Sequence, residues 1–211
     1  MTALTRLSDL DLSALLCSRV CHDVISPVGA IAKGLEVMDD PENDADMKAS
    51  ALDMVRSAAK SATAKLKFCR IAFGAAGSAG AQIDMGEAGD IAKAFVGEEK
   101  IKLDWQVPRE NRPKQDVKLL LNMLLLAIDA LPRGGVITMT GEGNGFVVKA
   151  KGDRAKIKEA MASVISGQTD LATLDARLVQ PYYARVLSEA QNMKLSMAME
   201  GDDTVVVAAA A

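Results

Sequence analysis

The chain has 211 residues, 49% hydrophobic and 25% charged, enough for one large or two small domains with a substantial apolar core. A net charge of −3 and only 3% aromatic residues exclude the basic footprint of a dedicated DNA binder and the stacking platforms of a single-strand binder. Three cysteines, no basic-then-apolar leader and no apolar run of membrane-spanning length predict a reducing, cytoplasmic setting.

Residues 1–40 predict one long helix, with Ser8 or Asp9 as N-cap and Asp9 and Asp11 complementing the first-turn dipole. At about 100° per residue, Leu16, Val20, Val24, Val28, Ile31, Leu35 and Met38 fall within an arc of roughly 120°. His22, the single histidine, lies about 170° from the centre of that arc and so faces water or a partner. Asp23 follows it, and a carboxylate that accepts from Nδ1–H would leave Nε2 as the free, nucleophilic nitrogen.

Arg19, Ser26, Gly29 and Lys33 share or border the histidine face, outlining a cationic strip of small residues. Arg19 and Lys33 would steer an acidic partner, or stand as ordinary solvated charges. Leu15 and Ile25 fall on the same side and would offer apolar contact to that partner, or bury against a second domain. Pro27 removes the donor for the Asp23 carbonyl and predicts a bend one turn beyond the histidine. Cys17 and Cys21, at the edge of the apolar stripe, read as buried small hydrophobes rather than metal ligands.

Pro41 and the acidic residues around it stop the first helix, and a second covers residues 46–73. Its apolar positions Met47, Ala51, Met54, Val55, Ala58, Ala62, Leu66, Cys69 and Phe73 recur at threes and fours. Two such helices form a hairpin whose stripes, packed only on each other, leave apolar surface wet. A second copy would cover it, giving a dimeric four-helix bundle with His22 on its flank. Residues 74–84 read as a linker rich in glycine and alanine.

From residue 85 to 211 the pattern is mixed. Helices are expected at 87–96, 115–131, 154–165 and 175–192, and strands at 101–107, 135–140, 146–150, 194–199 and 204–210. A hairpin turn is expected at 142–145. The chain is therefore α+β, a helical hairpin followed by a sheet covered on one face by helices.

His22, Asp23 and Pro27, in the pattern His-Asp-x-x-x-Pro, resemble the H-box of two-component sensor kinases, where the histidine carries a phosphoryl group as a phosphoramidate. The longer run 16–38 is more similar to the ChpT-type histidine phosphotransferases of alphaproteobacteria, and this resemblance extends over essentially the whole chain. It implies a homodimeric helical bundle followed by a degenerate α/β sandwich like the ATP-binding domain of histidine kinases.

Residues 119–135 are similar to the kinase N-box helix and the strand after it. Asn122 matches the first asparagine of that box, but Leu126 stands where the second would help hold magnesium. At Ala150-Lys151-Gly152-Asp153-Arg154 the aspartate and second glycine of the adenine-reading box are missing. Val179-Gln180-Pro181-Tyr182-Tyr183-Ala184 has no glycine where a phosphate loop would stand. These losses predict a domain that binds neither ATP nor any cofactor or metal of its own.

The phosphoryl group must then come from outside. The resemblance implies that it arrives from the receiver domain of a CckA-like hybrid histidine kinase and passes to the receivers of CtrA-like and CpdR-like response regulators, which carry their own Mg²⁺. His22 would be the nucleophile and Asp23 its orienting group. Two rival readings are an ATP-dependent histidine kinase, which requires nucleotide binding by residues 85–211, and a receiver-binding adaptor or kinase inhibitor, which would keep full activity in His22→Ala.

Overall fold

The computed structural model describes residues 6–74, 80–97, 100–143 and 145–210. Helix α1 (Asp9–Asp39) starts at Ser8, whose Oγ accepts from the Asp11 N–H at 3.1 Å. Helix α2 (Ala45–Ala72) starts at Asp44, whose carboxylate accepts from the Met47 N–H at 2.8 Å. In the turn between them, Asn43 donates its amide to the Val37 carbonyl at 2.8 Å. The helices approach closely at Gly34, where a Cβ would stand only 2.5 Å from Val55 Cγ2.

Small residues make that contact. Pro27 and Gly34 of α1 and Ala51, Ala58, Ala62 and Cys69 of α2 are buried. The larger apolar side chains Leu10, Val28, Leu35, Met47, Met54 and Leu66 remain exposed. Cys17 and Cys21 are exposed as well, which corrects the expectation of buried thiols. The physical reason is rotation: α1 meets α2 along the Pro27–Gly34 edge of its stripe, so the edge carrying Cys17, Val28 and Leu35 has no cover among the described residues.

Helix α1 is also long and apolar enough to cross a membrane, with a window of mean hydropathy 1.3, contrary to the sequence expectation. His22 and Lys33 occupy the side of the helix opposite its apolar stripe.

The second part holds β1 (Gln82–Asp84), α3 (Met85–Val96), β2 (Ile101–Trp105), β3 (Asn111–Pro113), α4 (Lys114–Asp129), β4 (Gly135–Glu142), β5 (Gly145–Lys151), α5 (Glu159–Ser166), α6 (Val179–Glu189), β6 (Lys194–Glu200) and β7 (Thr204–Ala210). Five strands form one sheet in the order β2-β4-β5-β7-β6, parallel between β2 and β4 and antiparallel elsewhere. Ile137, Met139, Phe146, Val148, Val205 and Val207 alternate toward the helices and are buried. Helix α4 lies between the sheet and α2 and α6, which is why it is apolar on nearly every side.

Several boundaries differ from expectation for local reasons. The short strands β1 and β3 pair with each other, and three residues are too few to show alternation. Residues 82–84 are thereby drawn from the expected linker into a sheet, while linker residues 75–79 lie outside the described ones. The Glu142↔Gly145 register places a tight turn at 142–145, although Asn144 itself lies outside the described residues. Arg154 adopts a φ of 57°, so α5 does not begin until Glu159. Asp175 accepts from the Arg177 and Leu178 N–H groups at 2.8 and 2.9 Å, closing a turn ahead of α6.

The helical hairpin is attached at both sides of its open end. Phe68, Ile71 and Ala72 of α2 are buried in the core of the second part, and the Phe68 ring stacks on Phe95 at 3.9 Å. Leu7 donates its N–H to Tyr182 Oη at 2.9 Å, and Leu12 and Leu15 pack on Val164, Leu174 and Tyr182. These contacts fix where α1, and therefore His22, stands against the rest of the molecule.

Candidate functional site: an outward histidine on the first helix

The His22 side chain is 76% exposed. Its Nδ1 lies 3.3 Å from Asp23 Oδ1. Because an ionised carboxylate can only accept, this contact selects the Nδ1–H tautomer and leaves the Nε2 lone pair facing outward. Asp23 is itself held: Arg19 Nε donates to its Oδ2 at 2.9 Å, one helical turn back. Arg19, Asp23 and His22 therefore form a chain of contacts in which each group orients the next. Arg19 is half-buried and engaged inside the molecule, so it serves as an anchor for Asp23 more than as a free steering charge.

One participant is absent from the sequence expectation. Pro27 has no N–H, so the Asp23 carbonyl lacks its normal helical donor. Lys65 of α2 supplies one, its Nζ standing 3.0 Å from that oxygen. The signal was half present in the sequence, since the proline announced an acceptor in need of a partner. Beneath this cluster lies Cys69, whose thiol is pushed up to about 11, chiefly by burial and then by the Asp23 charge, with Arg19 and Lys65 opposing. That thiol stays protonated and inert at neutral pH.

Ile25, Ser26 and Gly29 are exposed on the same helix, and a Cβ at Gly29 would meet nothing within 4 Å. Lys33 is exposed about three turns on and paired with Glu36 at 2.9 Å. Leu15 differs. It is half-buried against the Val164–Leu174–Tyr182 cluster, so of its two expected uses, partner contact or burial against the second domain, the structure shows burial.

In the second part, Asn122 is buried and its polar atoms are occupied. The amide nitrogen donates to the carbonyls of Ala72 and Lys118 at 3.0 and 2.9 Å, and Oδ1 faces Gln180 Nε2 at 3.4 Å. Gln180 also donates to the Asn122 backbone carbonyl at 2.8 Å. The residue that matches an N-box asparagine thus acts as a strut joining α2, α4 and α6. Leu126 is fully buried in the core. The Gly152 N–H is taken by the Asp203 carbonyl at 2.9 Å, and residues 179–184 form the first turns of α6 with Tyr182 and Ala184 buried.

A cleft of about 430 Å³ separates the histidine helix from this part, lined among others by Arg19, Leu125, Asp129, Lys158, Asp175 and Arg177. Lys158 pairs with Asp129, Arg19 is taken by Asp23, and backbone hydrogen bonds from Leu178 and Arg177 hold the Asp175 carboxyl below its usual range. Among the described residues, no group of three or more histidine, cysteine or acidic side chains is arranged to hold a metal ion.

Residues 85–203 match the family model described as the histidine phosphotransferase C-terminal domain. The chain is 45% identical over 203 residues to the protein phosphotransferase ChpT of Brucella abortus (strain 2308), covering 94% of this chain and 95% of that protein. A solved structure of a bacterial phosphotransferase superposes with a TM-score of 0.88 at 42% identity, over 99% of this chain and 100% of the other. A likeness this high along both full lengths, on a fold that presents one oriented imidazole to solvent, is shared descent: the chain belongs to the family of ChpT histidine phosphotransferases.

Proposed function

We propose that this phosphotransferase relays a phosphoryl group between receiver-domain aspartates through His22. The Nε2 lone pair attacks the phosphorus of an aspartyl phosphate on a docked receiver, and the P–O bond to the aspartyl carboxylate breaks. The carboxylate leaves with the electron pair. Nδ1 keeps its proton, so positive charge develops on the ring, and Asp23 stabilises it from 3.3 Å away. A second receiver's aspartate reverses the step. Mg²⁺ and the charges that neutralise the phosphoryl oxygens belong to the receivers. The donor is the receiver of a CckA-like hybrid kinase, and the recipients are CtrA-like and CpdR-like regulators.

The observation that carries this reading is the exposed imidazole with its tautomer set by a carboxylate that is itself anchored. Ile25, Ser26 and the open space over Gly29 give a receiver an apolar, uncluttered landing surface around it. Occupied Asn122 and buried Leu126 support a chain that takes no phosphoryl group from ATP. The reading predicts that a radiolabelled, phosphorylated receiver, mixed with this chain in the absence of nucleotide, transfers label to it in an acid-labile, base-stable phosphoramidate. Label retained on the receiver, or transfer that needs ATP, would overturn it.

The same reading includes a cytoplasmic homodimer. The uncovered ridge of Leu10, Cys17, Val28 and Leu35 on α1, with Leu66 of α2 across a shallow groove, is self-complementary in an isologous four-helix bundle. Val28→Asp and Leu35→Asp place a charge on that ridge without touching the α1–α2 contact. Each is expected to reduce the mass measured by sedimentation equilibrium from two chains to one, and a wild-type monomer at the same concentration would remove the dimer.

A further inference from the structure

We propose that Lys65 is a positioning residue for His22, its ammonium replacing the N–H that Pro27 lacks. The inference rests on the relay reading above and adds a residue from the second helix to the acceptor's support. In a regular helix the Asp23 carbonyl would accept from the N–H of residue 27. Proline offers none, so that oxygen lacks its helical partner. Lys65 of α2 reaches it, at 3.0 Å across 42 residues of sequence.

The neighbouring lysines of α2, Lys60 and Lys67, are exposed, whereas Lys65 is half-buried. A charged donor on a carbonyl is worth more than the neutral bond it replaces, especially where water has limited access. The carbonyl it grips belongs to the residue directly after the acceptor histidine and directly beneath the Asp23 carboxylate. Arg19 fixes the side chain of Asp23 and Lys65 fixes its backbone, so the turn carrying His22 has one rotation about the helix axis. Without Lys65 the turn is free to unwind, and the imidazole departs from the line on which a receiver presents its phosphorus.

The experiment measures single-turnover transfer from a phosphorylated receiver to the full chain, with receiver concentration varied, for wild type, Lys65→Met, Lys65→Arg, Pro27→Ala and the double variant. Lys65→Met is expected to slow the saturated rate by about tenfold while changing half-saturation by less than about twofold. Lys65→Arg, which keeps a cationic donor, returns the rate to within about threefold of wild type. In Pro27→Ala the restored N–H of residue 27 takes the carbonyl, so adding Lys65→Met there costs less than about twofold. The ¹³C resonance of the Asp23 carbonyl reads the contact apart from any transfer and is expected to move in Lys65→Met.

Wild-type transfer speed in Lys65→Met, the same loss with and without Pro27, or an unmoved carbonyl resonance would each overturn the inference. A wild-type chain that takes no label fails the relay reading instead, and the carbonyl resonance then still decides whether Lys65 holds Asp23.

Discussion

Replacing His22 by alanine is expected to lower phosphoryl transfer between receivers by more than about 10³-fold with the melting temperature unchanged. The two halves of that expectation come from the same fact. A side chain 76% exposed, whose one polar contact among the described residues is with its sequence neighbour, contributes little to packing, and such surface changes cost within about 0.5 kcal/mol. Its loss nevertheless removes the only imidazole of the chain. Buried Cys69, with its thiol held at about 11, is no substitute nucleophile. Label transfer and circular dichroism melts on the same preparation check both halves. An adaptor that only binds receivers would keep its full effect in this variant, so retained activity would discard the relay.

Phe68→Ala is expected to destabilise the whole chain by about 3–5 kcal/mol in one cooperative urea transition. Phe68 sits on the hairpin's second helix but is fully buried in the core of the second part, its ring stacked 3.9 Å from that of Phe95. Truncation leaves a cavity exactly where the two parts share side chains, so neither can relax without the other. Val136, exposed on β4 and away from the hairpin, is the control: truncation there costs far less, because much of its side chain is already in water. Two separate transitions in Phe68→Ala, with the sheet transition at its wild-type midpoint, would show instead that the hairpin melts by itself.

Asn122, Gln180 and the Ala72 carbonyl bind the end of α2 to α4 and α6 through buried hydrogen bonds. Asn122 thereby holds the helical hairpin in place against the second part.

Much of this was legible in the residues taken singly and in short windows. The outward direction of His22 followed from helical periodicity, the start of α1 from Ser8, and the α+β order from the change of period after residue 85. That the Asp23 carbonyl lacks its helical donor followed from Pro27. All of these are decided between residues at most about four apart, where backbone geometry and capping act. Tertiary structure alone decided which edge of the α1 stripe meets α2, that Leu15 packs inside while Ile25 does not, that Phe68 is buried in the second part while Leu66 is exposed, and that Lys65 and Asn122 bridge 42 and 50 residues of chain. Periodicity gives the direction of a side chain about its own helix axis, but the partner it finds there depends on how whole elements pack, and only long-range burial selects among those packings.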